Sequence, residues 1–140
     1  MILQVNPLIA LDGAAEEAIS FYERALQAMV VFKQSFGEMP GMAESMTEEV
    51  KKRISHSVLK LGEDTEMYVS DIFPGEPHQA GNRVTVCITS STAEYSKQLY
   101  EALLPGGRVD LPMQQTYFSP AYGVVTDQFG VTFHLFTKRA

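Results

Sequence analysis

The stretch "GVVTDQFGVTFHLF", from Gly123 to Phe136, decides the predicted fold because an earlier stretch repeats its pattern. The earlier one is "SVLKLGEDTEMYV", from Ser57 to Val69. In each, an apolar run leads into a turn with acidic residues and glycine, and a second alternating run follows, as in a β-hairpin. The two hairpins align at a constant offset of sixty-six positions, which pairs Tyr68 with His134. The pattern predicts one structural unit that occurs twice.

A helical segment lies upstream of each hairpin. Asp12 is the predicted N-cap of the first helix, in "DGAAEEAISFYERALQA", and Ser91 with Glu94 matches a capping box in "STAEYSKQLYEALLPGG". Apolar residues recur at helical spacing in both segments. They are Ala15, Ile19, Tyr22, Leu26 and Met29 in the first, and Tyr95, Leu99, Ala102 and Leu103 in the second.

Strand-like runs complete two βαβββ units. The runs are "QVNPLIAL", "MVVFKQSF", "ISHSVLKLG" and "TEMYVSDIF", and then "VTVCITS", "RVDLPMQQ", "YGVVTD" and "VTFHLFTK". They predict an α+β fold in a single domain, residues 1–140, built from two βαβββ modules, 1–77 and 78–140, with "PGEPHQAGN" as the linker. Hairpins of alternating residues are common, so chance similarity is the alternative to duplication.

Composition limits the class of protein. The chain has 140 residues, 45% of them hydrophobic and 20% charged, which is typical of a globular domain. A net charge of −6 disfavours nucleic acid as a partner. The sequence contains neither a membrane-length apolar run nor a signal-peptide pattern, so we expect a cytoplasmic protein without a membrane partner. The single cysteine, Cys87, lies in "VTVCI" and is predicted to be a small buried residue rather than a nucleophile.

Alternation along the strands separates two faces. The apolar set, predicted to pack on the helices, comprises Val5, Ile9, Leu11, Met67, Val69, Val84, Val86, Ile88, Val131, Phe133 and Leu135. The second set comprises Gln4, Asn6, Glu66, Tyr68, Ser70, Arg83, Thr85, Cys87, Thr132, His134 and Phe136. A face in bulk water normally carries Lys and Glu, so this mixed face predicts a partly enclosed cavity, and an ordinary solvated sheet face is the alternative.

The motifs "EEAISFYERAL", "ISHSVLKLG" and "YGVVTDQFGVTFHL" resemble the vicinal oxygen chelate superfamily, which includes glyoxalase I, extradiol dioxygenases and bleomycin-resistance proteins. The PhnB-like branch is the nearer match, and the resemblance covers essentially the whole chain. It implies two βαβββ modules that curve around a concave site, commonly in a homodimer. A homodimer is therefore the expected assembly.

Metal-dependent members of the superfamily place four ligands on the concave strands. Carried over by position, those places hold Asn6, Tyr68, Arg83 and His134, of which only His134 is a good ligand. A divalent ion needs three or more suitable protein ligands, and a guanidinium beside it is repelled. We therefore expect no metal ligands and no cofactor.

Eight residues form the predicted ligand-binding set, which is Asn6, His56, Glu66, Tyr68, Arg83, Phe118, Tyr122 and His134. Arg83 could bind an anionic group or form a salt bridge to Glu66 or Asp71. His134 could anchor a ligand or act as a base, and a hydrogen-bonded structural histidine is the alternative. For His56 the pattern leaves pocket and core equally open.

Two further segments carry alternatives. Tyr117, Phe118 and Tyr122 could form an aromatic wall or only pack an edge strand. The insertion before "KKR" contains Met39, Met42 and Met46, which could cover a pocket or pack on a second subunit.

Three functional hypotheses follow. The leading one is a PhnB-like, metal-independent protein that binds a small molecule of unknown identity. The second is a glyoxalase-type or dioxygenase-type enzyme with a displaced metal site built from His134, Glu66 and His56. The third is a bleomycin-resistance-type protein that sequesters a cationic drug. No catalytic residue can be assigned from the pattern.

Overall fold

A computed structural model describes residues 1–41 and 45–139 of the chain. These residues form two compact units, the first spanning Met1–His78 and the second beginning at Gln79. The division falls inside the exposed segment "PGEPHQAGN". Each unit contains a four-stranded sheet and follows the order βαβββ, which confirms the predicted α+β class with two modules.

The first unit has a short additional helix between its second and third strands. Its elements are β1 (Leu8–Leu11), α1 (Ala15–Ala25), β2 (Met29–Ser35), a 3-10 turn (Phe36–Glu38), α2 (Glu48–Lys52), β3 (Ile54–Leu61) and β4 (Thr65–Asp71). The sheet order is β1-β4-β3-β2. Strand β1 runs parallel to β4, with Leu8 beside Tyr68, and the other pairs are antiparallel.

Helix α1 covers one face of this sheet. The buried side chains on the helix and strands are Ala15, Ala18, Ile19, Tyr22, Ile54, Leu59, Met67 and Val69. On β4 the buried residues are the odd-numbered ones, so the even-numbered Glu66, Tyr68 and Ser70 lie on the other face. The predicted alternation is confirmed here, and it leaves one face of the sheet free of the helix.

A buried carboxylate holds the start of α1. Asp71 accepts hydrogen bonds from the backbone N–H groups of Gly13 at 2.8 Å, Ala15 at 3.0 Å and Ile54 at 3.0 Å. Ala15 is the first residue of α1, where backbone N–H groups lack helical partners, and Gly13 lies two residues before it. Asp71 therefore replaces the predicted cap Asp12, whose carboxylate instead pairs with Arg53 at 2.8 Å.

The second unit repeats this arrangement. Its elements are β5 (Val86–Ser90), α3 (Ala93–Leu103), β6 (Arg108–Gln114), β7 (Tyr122–Thr126) and β8 (Thr132–Thr137). The sheet order is β5-β8-β7-β6, with β5 parallel to β8. Helix α3 packs on one face of this sheet. The buried side chains are Leu99 and Leu103 on the helix and Val125, Phe133 and Leu135 on the strands.

Hydroxyl groups take the place of the carboxylate in the second unit. Thr137 lies sixty-six positions after Asp71, and its Oγ1 is 2.6 Å from Oγ of Ser96 on α3. The Ser96 hydroxyl also hydrogen-bonds that of Ser90, and Ser119 Oγ donates to the carbonyl of Thr137 at 3.0 Å. The repeated units thus join strand and helix by different polar chemistry.

The structure corrects several element ends. Strand β1 begins at Leu8 and β5 at Val86, so Val5 and Val84 lie outside strands and are each 87% exposed, not buried as predicted. Thr92, not Ser91, caps α3 by accepting from the N–H of Tyr95 at 3.1 Å. Met29 belongs to β2 rather than α1 and is exposed. The apolar sequence runs from which β1 and β5 were predicted include residues outside the backbone hydrogen bonding that defines each strand.

The insertion between β2 and β3 is only partly described. Met42 lies outside the described residues, so the predicted methionine ridge is not assessed there. Helix α2 is capped by Thr47 and has an ion pair between Lys51 and Glu48 at 3.1 Å. In the described part of the chain, no helix is long and apolar enough to cross a membrane.

Candidate functional site

The open face of the first sheet, on the side opposite α1, carries three rings in a row. The ring centroids of His56 and Tyr68 are 5.3 Å apart, and those of Phe32 and His56 are 6.0 Å apart. Antiparallel pairing brings these rings together, because Val58 lies beside both Phe32 and Tyr68 in the register. His56 therefore faces away from the helix and is not a core histidine.

The segment before β1 is tied to this face. Asn6 Nδ2 donates to the carbonyl of Glu66 at 3.0 Å, and the Tyr68 hydroxyl donates to Asn6 Oδ1 at 3.3 Å. The Tyr68 hydroxyl also lies 3.5 Å from Gln4 Oε1, at the limit for a hydrogen bond. Asn6, Glu66 and Tyr68, all predicted site residues, are thus neighbours in the first unit.

An open groove of about 600 Å³ runs along this segment. It is lined by Leu3, Gln4, Val5, Asn6, Val31, Lys60, Glu63, Asp64 and Glu66. The groove combines apolar side chains with carboxylates and one amine, so either an apolar or a cationic group could contact it. Lys60 lies beside Glu66 in the strand register, which gives the carboxylates a local counter-charge.

The open face of the second sheet carries the more closely connected cluster. The Tyr122 hydroxyl and His134 Nδ1 are 2.7 Å apart, in hydrogen-bond contact. The Tyr122 ring also lies 4.7 Å from that of Phe136 and 5.0 Å from that of Phe118, in each case between centroids. We call Phe118, Tyr122, His134 and Phe136 the aromatic cluster. Aromatic pairs at such distances prefer tilted and edge contacts, as seen here.

Cys87 extends this face on the edge strand β5. It lies beside His134 in the parallel register of β5 and β8, and it is exposed. The prediction of a buried Cys87 was wrong, because β5 is an edge strand and its outward residues have a neighbouring strand on one side only.

Burial changes the acidity of Tyr122. The pKa of its phenol is raised, first because burial disfavours the charged form and second because of repulsion from the Cys87 thiolate. Tyr122 therefore keeps its proton at neutral pH. Its hydroxyl can donate a hydrogen bond to the imidazole.

A polar row continues from the cluster toward β6. The Thr126 hydroxyl donates to Asp110 and lies 2.8 Å from the Thr132 hydroxyl, while Arg108 Nε donates to Asp110 at 2.9 Å. The hydrogen bond from Thr126 is the largest cause of a lowered pKa at Asp110, with Arg108 contributing further. Both donors favour the carboxylate form.

Replacing Thr126 by valine should raise the pKa of Asp110 toward its ordinary value of 3.8. Because the pKa of Asp110 is lowered in the folded protein, its carboxylate stabilises the protein at pH values above its ordinary pKa. This stabilisation is lost as the pH falls through the lowered pKa. The stability difference between wild type and Thr126→Val should accordingly shrink in strong acid. Carboxyl NMR titration measures the pKa directly. Glu38, whose pKa is lowered by the Ser35 backbone N–H, is the internal control and should not change.

The second unit also has a cleft, of about 400 Å³, beside Arg139. Gln115, Thr116, Tyr117, Ser119, Pro120 and Arg139 line it. The Tyr117 and Phe118 ring centroids are 5.2 Å apart and those of Phe118 and Tyr122 are 5.0 Å apart, so Phe118 contacts both tyrosine rings. Ring contact alone leaves the role of this wall as a prediction.

The four residues that the sequence resemblance matched to metal ligands do not fit a metal ion. Arg83 is a cation, Asn6 and Tyr68 bond each other, and His134 Nδ1 is engaged by Tyr122. Among residues 1–41 and 45–139, no three His, Cys, Asp or Glu side chains are grouped so that they could hold a metal ion.

Arg83 is the predicted site residue whose position was misjudged. It lies in a bend before β5 and is exposed, so strand alternation does not determine its direction. Phe32 and Phe136 were not among the eight predicted ligand-binding residues. Phe136 could have been included, since it lies two residues after His134 on the same face, whereas Phe32 is brought to His56 only by strand pairing.

Comparisons with known proteins show the fold. No family model matches the chain. Protein YjdN of Escherichia coli K12 is 28% identical over 137 residues, covering 92% of this chain and 91% of YjdN. Protein PA1353 from Pseudomonas aeruginosa has a similar structure, with a TM-score of 0.87 and 25% identity, covering 99% of this chain and 100% of PA1353.

Two further solved structures extend the comparison. A PhnB protein from Bacillus cereus has a TM-score of 0.78 at 21% identity, covering 97% of this chain and 100% of its own. A glyoxylase/bleomycin resistance protein/dioxygenase domain from Frankia has a TM-score of 0.70 at 10% identity, with 99% of both chains covered. At these identities the likeness shows the fold.

Proposed function

We propose, from the premise that this chain has the vicinal oxygen chelate fold and resembles the PhnB-like branch, that it binds a small organic molecule without using a metal ion. The proposed site is the open face of the second sheet, where the aromatic cluster lies. The ring row of Phe32, His56 and Tyr68, with Asn6 and Glu66, is a separate candidate surface within the first unit.

The aromatic cluster is the observation that carries this proposal. Four rings stand on the sheet face opposite α3, and a hydrogen-bonded tyrosine and histidine lie among them. Phe118 remains 39% exposed although it contacts Tyr122 and Phe136. Partly exposed rings around a few polar atoms are typical of sites that bury the flat part of a ligand and orient it by hydrogen bonds.

Metal analysis is the first test. Protein purified without chelator should contain far less than one zinc, iron, manganese or nickel per chain, because the donors present are too few and one is a cation. The ligand affinity should be unchanged after treatment with EDTA. About one metal per chain, with affinity lost on chelation, would overturn the proposal in favour of the enzyme hypothesis.

A thermal-shift screen is the second test. A ligand at one hundred times its Kd should stabilise the protein by about 2.7 kcal/mol, so a library of aromatic acids, ketones and amines is suitable. Phe136→Ala should abolish the shift of any hit, because it removes the central ring of the cluster. Tyr95→Ala, at an exposed position of α3, is the matched control and should preserve the shift. Shifts confined to large cationic drugs would support the drug-sequestering hypothesis instead.

We also propose that the chain is a homodimer in the cytoplasm. Edge strand β2 exposes Met29, Val31 and Phe32, and an apolar strand edge of this kind favours pairing with another chain. Sedimentation should give twice the chain mass of 15.5 kDa. A concentration-independent monomer would contradict the dimer without affecting the proposed binding site.

A further inference from the structure

Building on the proposed function, we infer that His134 offers its Nε2–H to the ligand, and that the site selects compounds with an oxygen acceptor attached to a flat ring. Aromatic carboxylates and aryl ketones are the simplest members of this class. The inference depends on the hydrogen bond between the Tyr122 hydroxyl and His134 Nδ1, which is 2.7 Å long.

The direction of this hydrogen bond follows from the acidity of its two partners. A phenol O–H is a stronger donor than the N–H of a neutral imidazole, and an imidazole nitrogen is a stronger acceptor than a phenol oxygen. Burial holds the pKa of Tyr122 above its ordinary value, so the phenol retains the proton that it donates. Tyr122 therefore donates and His134 Nδ1 accepts.

The position of the imidazole proton is then determined. A neutral imidazole carries one N–H, and if Nδ1 accepts, the hydrogen is on Nε2. Within the second unit, no described residue forms a hydrogen bond with Nε2. A protonated imidazole would also donate from Nε2, so both charge states present the same donor there.

The rings around His134 add the preference for a flat partner. The planes of His134 and Phe136 are nearly parallel, inclined by 16°, with centroids 6.4 Å apart. Phe118 lies 6.0 Å from Phe136 at an inclination of 55° and is 39% exposed. A flat ligand ring can pack against these rings while its oxygen accepts from Nε2–H. An amine group in the place of that oxygen would meet the Nε2–H of His134, donor against donor, and would lose its hydrogen bond to water.

Nitrogen NMR tests the first half of the inference. In alkaline buffer, the nitrogen-15 shifts of the His134 ring should show a protonated Nε2 and an unprotonated Nδ1. Tyr122→Phe removes the donor, so both tautomers should then be populated. Tyr95→Phe makes the same chemical change on α3 and should leave the His134 spectrum unaltered. A proton on Nδ1 in the wild-type protein would overturn the inference even if every ligand bound.

Three probes of equal ring size test the second half. Benzoate offers a charged acceptor, acetophenone a neutral acceptor, and benzylamine only donors. NMR titration should show benzoate and acetophenone binding at least about tenfold more tightly than benzylamine, the factor expected for one hydrogen bond. In Tyr122→Phe this preference should fall below about threefold, since the tautomer is no longer constrained.

The outcomes separate this inference from the proposed function. Benzylamine binding as tightly as benzoate, at the same His134 and Phe136 resonances, would overturn the ligand class while supporting the binding site. If none of the three probes perturbs the aromatic cluster, the ligand class is also overturned. The proposed function then depends on the wider thermal-shift screen and the Phe136→Ala control.

Discussion

Replacing Asp71 by alanine should lower the free energy of unfolding by about 3 to 5 kcal/mol. The Asp71 carboxylate accepts three backbone hydrogen bonds, from Gly13, Ala15 and Ile54, and its side chain is buried. Each buried N–H left without a partner costs about 1 to 3 kcal/mol, and the start of α1 also loses a favourable negative charge. Urea unfolding followed by circular dichroism measures the change.

Two variants make this test specific. Asp71→Asn keeps Oδ1, which serves Gly13 and Ala15, but replaces the acceptor for Ile54, so its loss of stability should be smaller than that of the alanine variant. Asp64→Ala, at the exposed turn between β3 and β4, should change stability by less than about 0.5 kcal/mol. If Asp71→Ala cost no more than Asp64→Ala, the carboxylate would not be holding the helix start.

Replacing Phe133 by alanine should cost about 3 to 5 kcal/mol, the usual range for a phenylalanine in a packed core. Phe133 is 0% exposed on the face of β8 that packs on α3. Phe136→Ala, three residues later on the opposite face, should cost only about 1 to 2 kcal/mol, since it loses ring contacts but leaves no sealed cavity. Urea unfolding of both variants measures the difference.

Ligand binding should show the opposite order. Phe133→Ala, studied at low temperature where it remains folded, should retain the affinity of the wild type, whereas Phe136→Ala should lose it. Equal stability losses in the two variants would contradict the assignment of these rings to opposite faces of β8. Equal affinity losses would remove the aromatic cluster as the binding site.

The repeated hairpin and the alternation of β4 and β8 could be predicted because both are local properties. Side chains two residues apart on a strand share a face, so Met67 and Phe133 were assigned to the core and Tyr68 and His134 to the open face. The same reasoning predicted two βαβββ modules. The assignment of strand faces failed for Arg83 and Val84, because an apolar run does not show at which residue backbone pairing begins.

The details of the site depended on pairings between distant residues. His56 was ambiguous in sequence, since its strand is apolar at both parities, and its position became clear only from the neighbouring Tyr68 and Phe32 rings. Cys87 was expected to be buried because it lies in the apolar run "VTVCI", but an edge strand exposes it. The contact between Tyr122 and His134 joins two strands whose register the sequence does not specify.

The amino-acid sequence alone thus determined the two modules, their secondary structure and the face to which most strand residues point, since these follow from spacing along the chain. Only the tertiary structure decided that Asp71 caps α1 from fifty-eight residues away at Gly13 and that the Tyr122 hydroxyl meets His134 Nδ1. Hydrogen bonds of this kind depend on atoms meeting within about 3 Å, and that requires the register and order of the strands to be known.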